Sequence, residues 1–450
     1  MRLKSLDGVT RRPPGVCGAP PYSPLRHRPW PRAFLLIVLI MSLATPTLAL
    51  PDQDGLTLAA AQANARRVSP VLVAAREAIG SAAGWERQAG AFPNPTLTYG
   101  YEETSKGGRK NSEHIALIEQ PLEIGGQRAA RRKAARLRRE AAEARLQEAE
   151  TQLDFDVARA FALALAADKR AEYATQAVDA FLAAQEISRR RLNEGDVSGY
   201  ENRRLGLEAA RYLGLRAEAM LKRRKARLAL GALLAPSGEA VSAIETPLAH
   251  PFRIDRLDAS LEDLRDLALQ KRAELRALEL ETQASMADVT LVSRSRIPTP
   301  IAGAGFKTER SAGESGTFDG FVAGLSVPIP LWNRSGGAVA AEEAEARGRK
   351  AELHALRRRL AVEVEEAWTA LRTSAEQLDA IRPHLGSELE TAVTAARTAY
   401  AEGEISLVEW LDAVRAYNEA QSTFAVLKAD YLIQRATLER AVGSSLFGGP

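Results

Sequence analysis

From Gln127 to Glu194 the chain contains neither glycine nor proline, and Ala, Arg, Glu and Leu dominate. These are strong helix formers, so the pattern predicts one unbroken helix. At 1.5 Å per residue it would be roughly 100 Å long, more than a single globular domain needs. Such composition points to a coiled coil or a long helical barrel. A matching run covers about 337–401 and is interrupted at Pro383, where the missing amide and the ring clash kink or split a helix. Other stretches alternate with period two. Leu97, Tyr99 and Tyr101 share one face; Phe321, Ala323, Leu325 and Val327 share another, opposite Gly324 and Ser326. With two less regular partners, these segments predict strands at about 96–104, 113–121, 300–309 and 318–328. Polar, glycine-containing stretches at 106–111 and 311–316 are expected as the connecting loops.

The same plan is written twice. Pro93-Asn94-Pro95 is echoed by Pro298-Thr299-Pro300, and Gln120-Pro121-Leu122 by Val327-Pro328-Ile329. Glu194-Gly195-Asp196-Val197-Ser198 is echoed by Glu402-Gly403-Glu404-Ile405-Ser406, and the offsets are 205, 207 and 208 residues. Recurrence at a fixed offset marks a duplicated unit, here 50–245 and 246–450 after an N-terminal segment 1–49. Each unit begins with an alanine-rich helical stretch, about 57–90 and 258–294. Strands follow, then the long helix, a glycine turn and a further helix. Ser198 with Glu201, and Ser406 with Glu409, have capping-box spacing, in which the two side chains satisfy each other's free amides. The turns therefore lie at the far end of the long helices from the strands.

Strands of eight to ten residues match a tilted membrane crossing, and the tyrosines suit an interfacial belt. A soluble sheet capping the helices fits the residues equally well. Four strands cannot close a barrel, and open edges in lipid leave backbone groups unsatisfied. If they span a membrane, several chains must share one barrel.

Composition narrows the function. The formal net charge is +4, but residues 1–49 carry seven Lys/Arg and one acid; the remainder is slightly acidic, with no field to attract nucleic acid. Within 1–49, Arg26, Arg28 and Arg32 precede an apolar run from Phe34 to Met41, then Thr47-Leu48-Ala49. That order predicts an export signal cleaved after Ala49. The only cysteine is Cys17, so a cleaved chain would hold no thiol for a disulfide, a nucleophile or a lipid. The histidines at 27, 114, 250, 354 and 384 have no metal-ligand spacing, and no phosphate loop follows a strand. No cofactor, catalytic residue or metal ligand is expected. Arg131-Arg132-Lys133 and Arg357-Arg358-Arg359 are expected as solvated helix faces, and Trp368 and Trp410 as helix-packing residues.

The pattern resembles the TolC family of outer-membrane efflux factors, closest to the cobalt–zinc–cadmium branch. The resemblance rests on the duplication, Phe92-Pro-Asn-Pro-Thr-Leu97, Gln120-Pro-Leu-Glu-Ile-Gly-Gly-Gln-Arg128 and Tyr400-x-x-Gly403-x-x-Ser406-x-x-Glu409. It implies a mainly α fold with a small membrane β part: a homotrimer whose chains each give four strands to a twelve-stranded barrel above a long α-helical barrel. It implies an outer membrane location, a helical barrel in the periplasm, outer-membrane lipid as surroundings, and no enzyme activity. A periplasmic adaptor and an inner-membrane pump of the RND class would be the partners, with heavy-metal cations the cargo. Sister branches export drugs or other small molecules. Gly195, Asp196, Val197, Ser198, Gly403, Glu404, Ile405 and Ser406 would form the adaptor-facing tips. Tyr400, Glu409 and Asp412, with Glu201 and Arg204 from the first repeat, would hold the periplasmic gate through an acidic ring or an Asp412–Arg clasp. Many relatives carry a lipid-bearing cysteine at the mature N-terminus, which this chain lacks. A periplasmic adaptor would show one hairpin between β-rich domains, and a coiled-coil scaffold would lack the proline-flanked strand pairs.

Overall fold

The computed structural model describes residues 55–447, apart from 237, 251, 256, 313–314 and 385–386. The expected export segment lies outside the described residues. The first repeat contains α1 (Leu58–Val68), α2 (Pro70–Ala89), β1 (Thr96–Lys106), β2 (Arg109–Pro121), α3 (Gln127–Glu194) and α4 (Gly199–Leu234). The second contains α5 (Leu261–Lys271), α6 (Ala273–Arg294), β3 (Ile301–Arg310), β4 (Phe318–Ser326), α7 (Gly336–Ile381), α8 (Ser387–Glu402) and α9 (Leu407–Val442). The element order is thus repeated, with one extra break between α7 and α8, where Arg382–His384 form a short 3-10 turn. Pro383 sits in that turn, as its missing amide requires.

The two alanine-rich leading stretches are not single helices. Ser69-Pro70 separates α1 from α2, and proline at the first helical position explains that break. Arg272 separates α5 from α6 with an extended backbone. It donates to the Arg440 carbonyl and to Glu363 on α7, so tertiary bonds hold this break where no proline does.

Helix α3 is the spine. It begins after Gly126 and ends at Gly195, both in the left-handed region, and it packs against α1, α2, α4, α6 and α9. Its buried positions are mostly alanine, with Val157, Phe161, Val178 and Phe181 among them, so neighbouring helices approach closely. Gln127 is buried at its start, and its side chain donates to the Arg294 and Ile297 carbonyls at 3.3 and 3.1 Å. Arg294 returns a bond to the Gly126 carbonyl at 2.9 Å. The two repeats are therefore tied together just below the sheet. Midway along, Arg227 on α4 is buried, donating to Asp168 on α3 at 2.7 Å and to the Ile244 carbonyl at 2.6 Å. That bond set fastens the connection between the repeats to the bundle. The basic clusters are ion-paired surface: Arg131 to Glu123 at 2.8 Å, Arg357 to Glu279 at 2.8 Å, and Arg359 to Glu274.

The four strands form one antiparallel sheet in the order β1-β2-β3-β4. The expected loop at 106–111 is much shorter than the sequence suggested. Lys106 pairs with Arg109, and Asn111 with Thr104, leaving Gly107-Gly108 as the whole turn. Both glycines have positive φ, 59° and 78°, which a two-residue turn matched to strand twist requires. At the other end, β4 stops at Ser326 instead of 328, because Pro328 and Pro330 lack amides for a ladder.

The register sorts the sheet into two faces. Tyr99, Ala116, Phe306 and Phe321 lie in line across it, as do Leu97, Ile118, Ala304 and Ala323. Leu97, Tyr99, Ile118, Phe306, Phe321 and Leu325 on this face are all exposed. The opposite face is mixed: Thr98, Glu113, Glu119, Lys307 and Glu309 stand among Ile115, Leu117, Ile301, Phe318 and Val322, with Gly303, Gly305, Gly320 and Gly324. There Lys307 pairs with Glu113 at 2.8 Å, and Thr98 donates to Glu119 at 2.8 Å. Such a contiguous exposed apolar band marks an interaction surface.

Candidate functional site: the paired helical turns

No helix among the described residues is long and apolar enough to cross a membrane. Nor, among them, do three His, Cys, Asp or Glu side chains gather as a metal site. The residues singled out in the sequence instead converge at the end of the bundle remote from the sheet.

Two hairpins meet there, α3–α4 and α8–α9. Each long helix ends in the same device. Gly195 (φ 88°) and Gly403 (φ 82°) adopt the left-handed conformation. The Asp196 amide reaches the Arg191 carbonyl at 2.9 Å, and the Glu404 amide the Ala399 carbonyl at 2.8 Å. These bonds satisfy carbonyls that a helix end leaves free. The next helix then starts on serine: the Ser198 and Ser406 hydroxyls accept from the Glu201 and Glu409 amides at 3.3 Å each.

The reciprocal half of the cap forms only in the second turn. Glu409 accepts from the Ser406 amide at 2.7 Å and its hydroxyl at 2.8 Å. The amide bond and then the hydroxyl bond hold its carboxyl below the usual range. Glu201, expected to do the same at Ser198, instead accepts from the Tyr400 hydroxyl at 3.1 Å. Its carboxylate thus reaches across to the other hairpin.

Tyr400 is a core residue of the tip, stacked on Trp410 at 5.4 Å. Around the pair lie Phe181, Leu205, Tyr212, Leu407 and Leu411, drawn from α3, α4 and α9. Burial, reinforced by the charge and hydrogen bond of Glu201, pushes the Tyr400 hydroxyl up to about 12, so it stays a proton donor. Arg191 on α3 adds a bond to the Tyr400 carbonyl at 3.2 Å. Trp410 packs fully buried, as the sequence implied.

Asp412 and Arg204 are not brought together. Asp412 is 70% exposed, and its ion partner is Arg415 one turn along, at 3.8 Å. Arg415 itself reaches Glu208 on α4. Glu208 is thus a second bridge between the hairpins, parallel to Glu201–Tyr400. Sequence reasoning missed it because it belongs to no motif; its only signal is a position two turns beyond Glu201. The eight tip residues from Gly195 to Ser198 and from Gly403 to Ser406 form the two adjacent turns.

A family model described as outer membrane efflux protein matches residues 61–233 and 264–444. The cobalt-zinc-cadmium resistance protein CzcC of Cupriavidus metallidurans is 28% identical over 325 residues, 68% of this chain and 74% of that protein. A membrane protein from Pseudomonas aeruginosa superposes with a TM-score of 0.71 at 19% identity, covering 86% of this chain and 92% of the other. The CmeC outer membrane channel of Campylobacter jejuni gives 0.71 at 14% identity, covering 87% and 86%.

Proposed function

The chain belongs to the outer membrane efflux protein family, and on that footing we propose that three copies enclose one duct from the periplasm to the cell exterior. As an outer-membrane efflux-channel subunit it conducts without catalysis. In the proposed assembly each copy contributes four strands to a twelve-stranded barrel, and its long helices to a barrel in the periplasm. The observation that carries this reading is the sheet: one face presents exposed Leu97, Tyr99, Ile118, Phe306, Phe321 and Leu325, the other mixes apolar residues with glycines and the Lys307–Glu113 pair, and β1 and β4 stand open at its edges. Those edges require pairing partners in lipid, and the face division is that of a barrel with lipid outside and water inside.

The tip is the proposed gate and adaptor-facing end. The Tyr400–Glu201 bond pins the second hairpin to the first, the arrangement of a closed mouth. Asp412, exposed beside it, would be repeated around the axis by rotational symmetry; Glu409 is engaged in its cap. Such carboxylates favour cations. Arg204 remains a candidate partner for a neighbouring copy's Asp412. A periplasmic adaptor would seat on the turns at Gly195–Ser198 and Gly403–Ser406 and join the channel to an inner-membrane RND pump.

Heavy-metal cations are the proposed cargo, supported by the likeness to CzcC and by the exposed acid at the tip. Drug or other small-molecule export is the alternative. Outer-membrane fractionation with unboiled gel mobility tests the class: a heat-dissociable oligomer is expected, and a monomer in the soluble fraction would refute it. A deletion strain should lose resistance to metal ions more than to hydrophobic drugs; sensitivity confined to drugs would reverse the cargo.

A further inference from the structure

We propose that the two links joining the sheet to the long helices form a collar that docks on anionic phospholipid in the periplasmic leaflet of the outer membrane. The inference rests on the channel reading and adds a lipid partner and the residues that meet it. One link, 122–126, leaves β2; the other, 327–335, leaves β4. The strand ends are level, since Pro121 pairs with Ile301 and Ile301 with Ser326. Both links bend alike: the Ile124 amide donates to the Leu122 carbonyl, and the Leu331 amide to the Ile329 carbonyl, at 2.9 Å each. Both also continue the alternation of the strand before them. Leu122 and Ile124 follow Ala116 and Ile118 in steps of two, and Ile329 and Leu331 follow Phe321 and Leu325. The exposed apolar face therefore runs on past the last strand pairing. Ile124, Ile329 and Leu331 are 66%, 74% and 59% exposed, and Trp332 is 93% exposed. A tryptophan at the edge of an apolar band belongs where its ring meets acyl chains and its N–H meets water.

The charge at this level selects the lipid. Residues 121–134, 294–300 and 327–338 together hold seven Lys/Arg and one acid, Glu123, which Arg131 pairs at 2.8 Å. Residues 102–113, at the other end of the sheet, hold three of each sign. The positive excess thus marks the end next to the long helices. Arg128 and Arg294 are committed to the Gly90 and Gly126 carbonyls at 2.6 and 2.9 Å. Arg132, Lys133, Arg296 and Arg334 are exposed, and none has an acidic partner among the described residues. The Ser295 hydroxyl donates to the Ser335 hydroxyl at 3.2 Å, so the segments carrying Arg296 and Arg334 adjoin, and Trp332 is two residues from Arg334. Neighbouring cations beside an apolar wedge match the phosphate and the acyl chains of an anionic lipid. A zwitterionic lipid brings an ammonium group against the same arginines.

The test uses Trp332 as the reporter, in the full chain purified from outer membranes and placed in phosphatidylcholine vesicles. Phosphatidylcholine brominated on its acyl chains near the headgroup should quench part of the tryptophan fluorescence, and Trp332→Phe should remove that part. Brominated phosphatidylglycerol at the same mole fraction should quench Trp332 more strongly. Arg296→Gln and Arg334→Gln should each reduce this preference about fivefold, the worth of one cation near an anionic surface, while the heat-dissociable oligomer persists on unboiled gels. Quenching untouched by Trp332→Phe, or equal quenching by the two lipids, would overturn the collar and leave the channel reading standing. Inorganic phosphate that abolishes the preference where chloride of equal ionic strength does not would identify a free-anion site and overturn lipid docking. Absence of any oligomer in the parent membranes would instead refute the channel reading, and the collar with it.

Discussion

Tyr400 and Glu409 sit nine residues apart, yet their chemistry differs because one faces the core and the other faces water. Tyr400→Phe keeps the ring stacked on Trp410 and removes only the hydroxyl that donates to Glu201. The freed carboxylate is half-buried and can rehydrate, so the cost should be roughly 1.5 kcal/mol, the low end for a bond to a charged group. The expected result is therefore a channel of nearly unchanged thermal stability and higher single-channel conductance. Unchanged conductance would mean the bond only packs the tip. For Glu409 the observable is pH. Bonds from the Ser406 amide and hydroxyl depress its folded pKa. The stability it contributes is thus present above the ordinary carboxylate value and is lost as pH falls through the depressed one. Glu409→Gln should flatten that part of the acid unfolding curve without altering conductance. A conductance change with the acid limb intact would assign Glu409 to the gate instead.

At the scale of elements, the two glycine turns look interchangeable but differ in what surrounds them. An added Cβ at Gly195 meets open space, whereas at Gly403 it comes within 3.1 Å of the Arg191 guanidinium. Both positions have left-handed backbones, which cost a non-glycine residue about 1–2 kcal/mol. Gly403→Ala should therefore destabilise at least as much as Gly195→Ala, and should additionally disturb the Arg191 bond to Tyr400. Comparing proteolysis rates at the two tips checks this; equal rates and equal conductance would show that Arg191 simply moves aside. The elements themselves were largely legible in the chain. The glycine- and proline-free run gave α3 its two ends, because glycines with positive φ bound it. Pro383 marked the break in the second long helix. The sequence misled where a tertiary bond outranked a local signal. Arg272 breaks a helix with no proline present, and Glu201 leaves its own cap for a tyrosine 199 residues away. The 106–111 loop was overestimated because polar, charged residues look like loop, whereas β1 and β2 stay paired as far as Lys106 and Arg109.

For the whole molecule, the decisive question is which medium each side of the sheet meets. Successive residues along a strand alternate faces with period two, so adjacent residues of one strand should respond oppositely to the same substitution. Phe321 belongs to the exposed apolar face, in line with Phe306 and Tyr99. Thr98 belongs to the face that carries the Lys307–Glu113 pair. If the first face meets lipid, Phe321→Arg places a charge in hydrocarbon and should cost roughly 2–4 kcal/mol near the membrane midplane. Thr98→Arg would face water beside Glu119 and should be tolerated, with the change appearing in ion selectivity. Urea unfolding of the assembled protein in membrane vesicles measures the first effect, and reversal potential across a planar bilayer measures the second. Equal penalties for the two arginines would mean that both faces meet the same medium. That outcome would fit a soluble sheet capping the helices, and the barrel, the lipid-facing tyrosines and the shared closure between copies would fall together.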